Sequence, residues 1–121
     1  MEISSYRDLI VWQKGIELAV NVYSLTKNFP DDEKFALSNQ VKRCVTSIPA
    51  NIAEGYGRQS SKSYSQFMKI SRGSLFELET HLLLAEKLGF IQNNELYAHV
   101  KEQITEEGKM LNAFIKKLDD K

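Results

Sequence analysis

The sequence has few of the residues that cross-link or interrupt a chain. Its 121 residues include one cysteine, two prolines and six glycines. A single cysteine, Cys44, excludes an internal disulfide framework and is typical of a protein in a reducing cytosol. Because proline and glycine are the residues that interrupt helices, their scarcity leaves room for long ones.

Long apolar runs and an excess of one charge are also missing. No apolar run exceeds four residues, whereas a membrane span needs about 20, so we expect no contact with a membrane. The first residues carry neither a basic nor an apolar segment, so we expect no secretory signal and a cytoplasmic location. The 16 basic and 16 acidic residues cancel, which argues against a dedicated, strongly basic nucleic-acid binder.

The charges are nevertheless unevenly placed along the chain. Residues 34–76 hold seven bases and a single acid, Glu54. Residues 1–33 hold three bases and six acids, and residues 77–121 hold six bases and nine acids. We therefore expect helices two and three to be mainly basic and helices one and four mainly acidic. A positive face on one copy would then meet a negative face on the next, which favours a head-to-tail assembly.

Helical periodicity is the strongest pattern in the sequence. Apolar residues recur three and four positions apart in four segments, and no segment alternates with a period of two. The pattern predicts helices at residues 8–28, 32–55, 63–88 and 94–118. Short links between amphipathic helices predict an all-α fold, an antiparallel up-down-up-down four-helix bundle that forms one domain over residues 1–121. The buried face of helix one is predicted to consist of Leu9, Trp12, Ile16, Ala19, Tyr23 and Thr26.

Capping signals and one internal proline refine these limits. Ser5 with Asp8 and Ser63 with Gln66 match capping boxes ahead of helices one and three. Pro49 lies within the apolar stripe of helix two, where it removes one backbone hydrogen bond. Because the stripe keeps its phase across the proline, from Ile48 to Ile52, we predict one helix through it. Two helices broken near Ser47 are the alternative.

A second, polar stripe runs along helix two beside the apolar one. Helix three offers possible partners for it in Arg72, Glu77 and Glu79. A polar stripe this close to a core is costly unless its groups are paired. Three interpretations remain: a solvated face, a paired network inside the bundle or at a subunit boundary, and a catalytic cleft. The stripe consists of Gln40, Arg43, Ser47, Asn51, Glu54 and Arg58.

Three segments carry a resemblance to a known family. The segment from Gln40 to Arg58, QVKRCVTSIPANIAEGYGR, resembles the signature of the four helix bundle protein family, also known as the 23S rRNA intervening-sequence proteins. Asp8–Gln13 resembles the family's first helix and Phe67–Thr80 its third. The match runs in the right order from about residue 5 to 118.

The resemblance implies a small bacterial cytosolic protein, sometimes encoded within an insertion in a large-subunit rRNA gene. It implies an antiparallel four-helix bundle, with relatives that assemble as ring-shaped homopentamers, and no established enzymatic activity. A related branch serves as an accessory protein to reverse transcriptases and binds nucleic acid through a strongly basic surface. The first partner we expect is therefore a second copy of the chain.

A nucleic-acid contact is the alternative function. Basic residues interleaved with aromatic ones can hold a phosphate backbone and stack bases. Tyr56, Tyr64 and Phe67 lie among such bases, although the last two also fit the core stripe of helix three. The candidate contacts for RNA or DNA are Arg58, Lys62, Lys69 and Arg72.

No catalytic, cofactor or metal site is predicted. The two histidines follow glutamates by four residues, as Glu77 and His81 and as Glu95 and His99. Di-iron bundles instead use Glu-x-x-His, so solvated histidines are the simpler interpretation. Cys44 repeats with the apolar stripe, which favours a buried structural thiol. No nucleophile with a nearby base is apparent, so we predict a protein that is not an enzyme.

Overall fold

The chain folds into four long α-helices. The computed structural model describes residues 2–121, and within that range it contains no strand. Two short 3₁₀ helices, Tyr6–Asp8 and Asp31–Glu33, precede the first and second α-helices. The predicted all-α four-helix bundle is confirmed. The helices are α1, Ile10–Thr26; α2, Leu37–Tyr56; α3, Ser61–Lys87; and α4, Asn94–Asp119.

Each helix packs against its neighbours in the chain, and α1 closes the bundle against α4. Between residues 2 and 121, α1 makes no contact with α3, and α2 makes none with α4. The outer faces of α1 and α3 therefore lie at opposite corners of the bundle. None of the described helices is both long and apolar enough to cross a membrane.

The core draws apolar side chains from all four helices. Ile48 and Ile52 are both fully buried, and α2 continues unbroken past Pro49. The prediction of one helix through this proline is therefore confirmed. The most deeply buried apolar residues include Leu18, Val22, Val41, Ile48, Ile52, Met68, Leu75, Leu78, Leu82, Val100 and Leu111.

The predicted buried face of α1 is wrong in part. Ile16 is 39% exposed and Tyr23 is 41% exposed, while Leu18 and Val22 are fully buried. Apolar residues occur on nearly every side of this helix, so their spacing alone does not select one face. The face that packs inward also contains Gly15, whose missing side chain allows the neighbouring helices to come close.

The first two α-helices begin later than predicted, because the residues expected to start them form short 3₁₀ helices instead. Ser5 and Asp8 do form a capping box, but it closes the 3₁₀ helix Tyr6–Asp8. Leu9 is then extended, so α1 begins only at Ile10 rather than at residue 8. Likewise α2 begins at Leu37 rather than at residue 32, since Asp31–Glu33 forms its own 3₁₀ helix. The Glu33 carboxylate then accepts a hydrogen bond from the Leu37 amide at 3.2 Å.

The start of α3 is also earlier than predicted. Ser60 caps it, since its hydroxyl accepts the Ser63 amide at 3.1 Å, and the helix begins at Ser61 rather than at residue 63. Several serines precede this helix, and each has the chemistry of a cap. The helix stops before Gly89, which has a positive φ of 77° that favours glycine.

The acidic residues of the first segment lie mostly outside α1. Between Ile10 and Thr26 the only charged residues are Lys14 and Glu17, which balance each other. The expectation that helix one is mainly acidic is therefore wrong. Much of the negative charge of this segment belongs to the 3₁₀ turn Asp31–Glu33.

Candidate functional site: the polar face of α2 and the surfaces around it

The middle of the polar stripe is half-buried and hydrogen-bonded. The hydroxyl oxygens of Ser47 and Ser74 lie 2.8 Å apart, which joins α2 to α3. The Asn51 amide donates to both the carbonyl and the hydroxyl oxygen of Ser47, each at 2.8 Å. Nearby, the buried Ser71 hydroxyl donates to the Ile48 carbonyl at 2.9 Å. These bonds satisfy the serine hydroxyls in the middle of the α2–α3 contact, whereas the buried Tyr64 hydroxyl near the start of α3 has no partner.

The ends of the stripe face solvent. Gln40 and Arg43 are exposed at one end. At the other, the Arg58 guanidinium donates to the Glu54 carboxylate at 2.9 Å and lies over the Phe67 ring, 4.4 Å from its centroid. The ends of the stripe are therefore exposed, whereas its centre is half-buried and hydrogen-bonded to α3.

Of the three α3 residues proposed as partners, one reaches α2. The Cys44 thiol donates to the Glu77 carboxylate at 3.8 Å. Arg72 turns to α4 and donates to Asn112 at 2.9 Å. Glu79 is exposed and borders a groove between α3 and α4 that also contains Tyr97. The nine residues thus form no single network.

Cys44 occupies a polar corner of the core. It is 6% exposed. Burial, followed by the negative charge of Glu77, raises its pKa to about 11, so the thiol is protonated at neutral pH. His81 stands one turn beyond Glu77. One donor atom from each of these three residues lies within 4.8 Å of the others, the only such group of three in the described chain.

The four bases proposed to hold a phosphate backbone are mostly engaged within the chain. Arg58 pairs with Glu54, and the Lys69 ammonium lies 3.1 Å from the Asp119 carboxylate. Arg72 is hydrogen-bonded to α4 as described above. Lys62 is exposed. This pairing leaves less positive potential on the α3 surface than the sequence suggests.

A different basic groove lies at the end of the bundle, where α3 begins. It has a volume of about 390 Å³ and contains Arg58, Lys117 and Lys121 together with Ser60 and Ser61. The groove therefore joins three cations to the start of α3, where the positive end of the helix dipole favours anions. Sequence reasoning missed Lys117 and Lys121, because they are far from Arg58 in the chain.

The residue that sequence reasoning missed altogether is Glu107. Its side chain is 1% exposed, and neither carboxyl oxygen has a hydrogen-bond partner. Burial, followed by the charge of Glu106, raises its pKa to about 8, while Lys14 acts in the opposite direction. The carboxyl group is therefore largely neutral at pH 7. A signal was present in the sequence, since Val100, Ile104 and Leu111 recur four and seven positions apart and residue 107 fills the gap between the last two.

Glu107 lies where three helices approach one another. A Cβ placed on Gly15 of α1 would be 3.1 Å from a Glu107 carboxyl oxygen and 3.4 Å from the Pro49 Cβ. The absence of a side chain at Gly15 thus makes room for the carboxyl group. The acid is enclosed by protein, so it offers no surface to a substrate.

Apolar side chains are also exposed on the outer faces of two helices. On α1, Ile16, Val20 and Tyr23 are 39–61% exposed, and on α3, Phe76 and Leu83 are 55% and 51% exposed. Their spacings of three, four and seven residues place each set along one side of its helix. Exposed apolar patches of this kind mark interaction sites in many proteins.

Comparison with known proteins places the chain in a family. A family model described as 23S rRNA-intervening sequence protein matches residues 7–113, whereas no curated protein matches the sequence. A similar solved structure is that of a protein with unknown function from the S23 ribosomal protein family of Bacteroides thetaiotaomicron. It is 32% identical, with a TM-score of 0.76, and the match covers 88% of this chain and 99% of the other. The chain thus belongs to the 23S rRNA-intervening sequence protein family.

Proposed function

We propose that the protein is a non-enzymatic, self-assembling bundle that packs head to tail into a closed ring of identical chains in the cytosol. The observation that carries this proposal is the pair of exposed apolar faces on α1 and α3. The resemblance of the sequence to a family whose relatives form homopentamers favours a ring of five.

The placement of the two faces supports a ring rather than a simple pair. α1 and α3 lie on the diagonal of the bundle and do not touch within residues 2–121. A face formed by Ile16, Val20 and Tyr23 therefore points away from the face formed by Phe76 and Leu83. Contact between two different faces leaves one of each free on every pair, so further copies add, and the assembly closes into a ring when the rotation between neighbours fits.

The first test is the molar mass in solution of the wild type and of two single variants. Light scattering coupled to size exclusion should give the wild type a mass several times that of the 13.9 kDa chain. Val20→Lys and Leu83→Lys each place a charge in one face, and each should reduce the assembly to monomers. Ala98→Lys, on the exposed surface of α4, is the control and should leave the mass unchanged.

A mixture of the two variants distinguishes the kind of contact. Val20→Lys keeps its α3 face and Leu83→Lys keeps its α1 face, so the mixture should form a one-to-one dimer and nothing larger. A symmetrical contact between like faces would give no mixed dimer. A monomeric wild type at micromolar concentration and moderate salt would overturn the proposal.

A second candidate function is binding of RNA or DNA through the basic groove at the end of the bundle. The specific observation in its favour is the grouping of Arg58, Lys117 and Lys121 at the first turn of α3. Lysine and arginine side chains neutralise backbone phosphates, and the release of counterions then drives binding. Arg58, one of the four nucleic-acid contacts predicted from the sequence, lines this groove.

Gel-shift or fluorescence titrations at several salt concentrations test this function. The logarithm of the affinity should fall steeply with the logarithm of salt concentration. Lys117→Ala should reduce the slope by about 0.7–0.9, the value for one phosphate contact. Lys109→Ala, an exposed lysine elsewhere on α4, should not change it. No binding at low salt would exclude the function.

A further inference from the structure

We propose that Cys44, Glu77 and His81 form a binding site for a zinc-type transition-metal ion between α2 and α3. The observation behind it is that a thiol, a carboxylate and an imidazole bring donor atoms within 4.8 Å of one another. The site is independent of self-assembly and of nucleic-acid binding.

The geometry follows from the two helices. Glu77 and His81 are four residues apart in α3, so their side chains occupy one face a turn apart. Cys44 faces them from α2, with its sulfur 3.8 Å from a Glu77 oxygen. Zinc bonds of about 2.0–2.3 Å in a tetrahedron require donors roughly 3.3–3.8 Å apart. Small side-chain rotations therefore bring the three donors to bonding distance without moving either helix.

The donor set decides which ions fit. Sulfur with imidazole selects zinc and its neighbours among the transition metals, whereas magnesium and calcium require oxygen donors. On binding, the Cys44 thiol releases its proton to solvent, and the resulting thiolate and the Glu77 carboxylate neutralise a dication. Arg43 lines a surface groove together with Cys44 and Glu77, and its positive charge disfavours the binding of a cation.

The site is open to an ion from solvent. A surface groove of about 330 Å³ runs beside Cys44 and Glu77 and is also lined by Gln40, Ser47 and Ser74. Cys44 is buried, whereas Glu77 is exposed and His81 half-buried, so the ion is held from one side by the core. The fourth tetrahedral position faces the groove and takes a water molecule.

The chain contains its own control for this inference. Glu95 and His99 have the same four-residue spacing on α4, but they belong to no group of three donors in the described part of the chain. A metal held merely by a surface glutamate and histidine would bind both pairs alike. A metal held by the proposed site requires the thiol.

The test uses Co²⁺ alone as a spectroscopic probe, added to the purified full chain with a reductant that does not bind metals. One equivalent should produce a thiolate-to-cobalt charge-transfer band in the near ultraviolet, and Zn²⁺ should remove it by competition. His81→Ala and Cys44→Ser should each weaken binding by more than about 100-fold, beyond what the loss of an outer partner costs. His99→Ala should bind as the wild type does.

Two results would overturn the proposal. One is the absence of the band in the wild type at millimolar Co²⁺, and the other is an unchanged band in His81→Ala. Because Cys44 is buried, Cys44→Ser is first checked for helical content by circular dichroism. If that variant fails to fold, Glu77→Gln and His81→Ala decide the question, since both positions reach solvent.

Discussion

The middle of the α2–α3 contact and the side where α1 meets α4 differ in how their buried polar groups are paired. Between α2 and α3, the hydroxyls of Ser47, Ser71 and Ser74 each have a partner within 2.9 Å. On the side where α1 meets α4, the Glu107 side chain is 1% exposed and its carboxyl group has no partner. A neutral hydroxyl is cheap to bury once bonded, whereas a carboxylate without a partner is not.

The difference predicts where the fold is sensitive to solution conditions. The α2–α3 contact contains buried groups that do not change charge near neutral pH. The α1–α4 side contains an acid whose pKa is about 8. Substitutions that change the shape of a side chain should therefore alter stability most at the α2–α3 contact. Changes in pH should alter stability through the α1–α4 side.

The largest expected effect is the pH dependence that Glu107 imposes on stability. The folded chain loses this proton near pH 8, and the unfolded chain loses it near 4.5. Between these values only the folded state holds the proton, so unfolding releases it and the free energy of unfolding falls as the pH rises. The slope should approach roughly 1.4 kcal/mol per pH unit.

Denaturant unfolding at pH 5, 6.5 and 8 measures this slope. Glu107→Gln, which remains neutral, should flatten it and should be more stable than the wild type at pH 8 by about 2–4 kcal/mol. Glu102→Gln is the control, because this acid is exposed on the same helix and does not contribute to the raised pKa of Glu107. Equal slopes in the wild type and Glu107→Gln would show that the acid is not held neutral.

The next largest effect tests the close approach of α2 and α3. A Cβ on Gly55 would be 2.9 Å from the Phe67 Cβ and 3.3 Å from the Tyr64 carbonyl oxygen. Gly55→Ala should therefore destabilise the fold by about 1–2 kcal/mol, because the strain exceeds the helical preference for alanine.

Gly73 provides the matched comparison on α3. A Cβ there would meet nothing within 4 Å, so Gly73→Ala should stabilise the fold by roughly 0.5–1 kcal/mol. Thermal and chemical unfolding of both variants measure the difference. The same sign of change in both would contradict the packing described.

A smaller effect is expected from the hydrogen bond between Ser71 and the Ile48 carbonyl. Ser71→Ala should destabilise the fold by about 1 kcal/mol, the typical net contribution of one such bond. The change should be independent of pH, in contrast to that at Glu107. Ser24→Ala, whose hydroxyl bonds only within its own helix, should stay within about 0.5 kcal/mol of the wild type.

The smallest effect concerns the exposed end of the polar stripe. Glu54 and Arg58 form a short ion pair, but both side chains are more than 40% exposed. A double-mutant cycle with Glu54→Ala and Arg58→Ala should give a coupling of about 0.3–0.5 kcal/mol. The coupling should decrease with added salt, since exposed pairs are screened. A coupling above 1 kcal/mol would mean that this end is buried in an assembly.

The fold could be predicted where the spacing of apolar residues is compatible with only one buried helix face. In α2 the apolar stripe continues in phase through Pro49, so its helical path followed from the spacing of Ile48 and Ile52. In α1 the apolar residues surround the helix, and the spacing could not distinguish the inner face from the outer one. For this reason the spacing predicts Ile16 and Tyr23 to be buried, whereas both are exposed.

The sites were harder to predict because they depend on contacts between helices. His81 and Cys44 are in different helices, and only the α2–α3 packing brings them together. Glutamate is rarely buried, so the type of residue 107 argues against the inward position that its spacing from Ile104 and Leu111 indicates. The sequence suggests Arg72 of α3 as a partner of the polar stripe on α2, whereas the side chain donates a hydrogen bond to Asn112 of α4.

Because Gly15 of α1 leaves room for the Glu107 carboxyl group, the packing of α1 on the bundle is coupled to the protonation of that group. While α1 is in place it covers the Glu107 carboxyl group, and when α1 detaches that group meets water and ionises. We expect alkaline conditions to favour a partly open state in which α1 is loose and the other three helices remain associated. Amide hydrogen exchange in α1 should then accelerate with pH beyond the intrinsic chemical rate, ahead of exchange in the rest of the bundle.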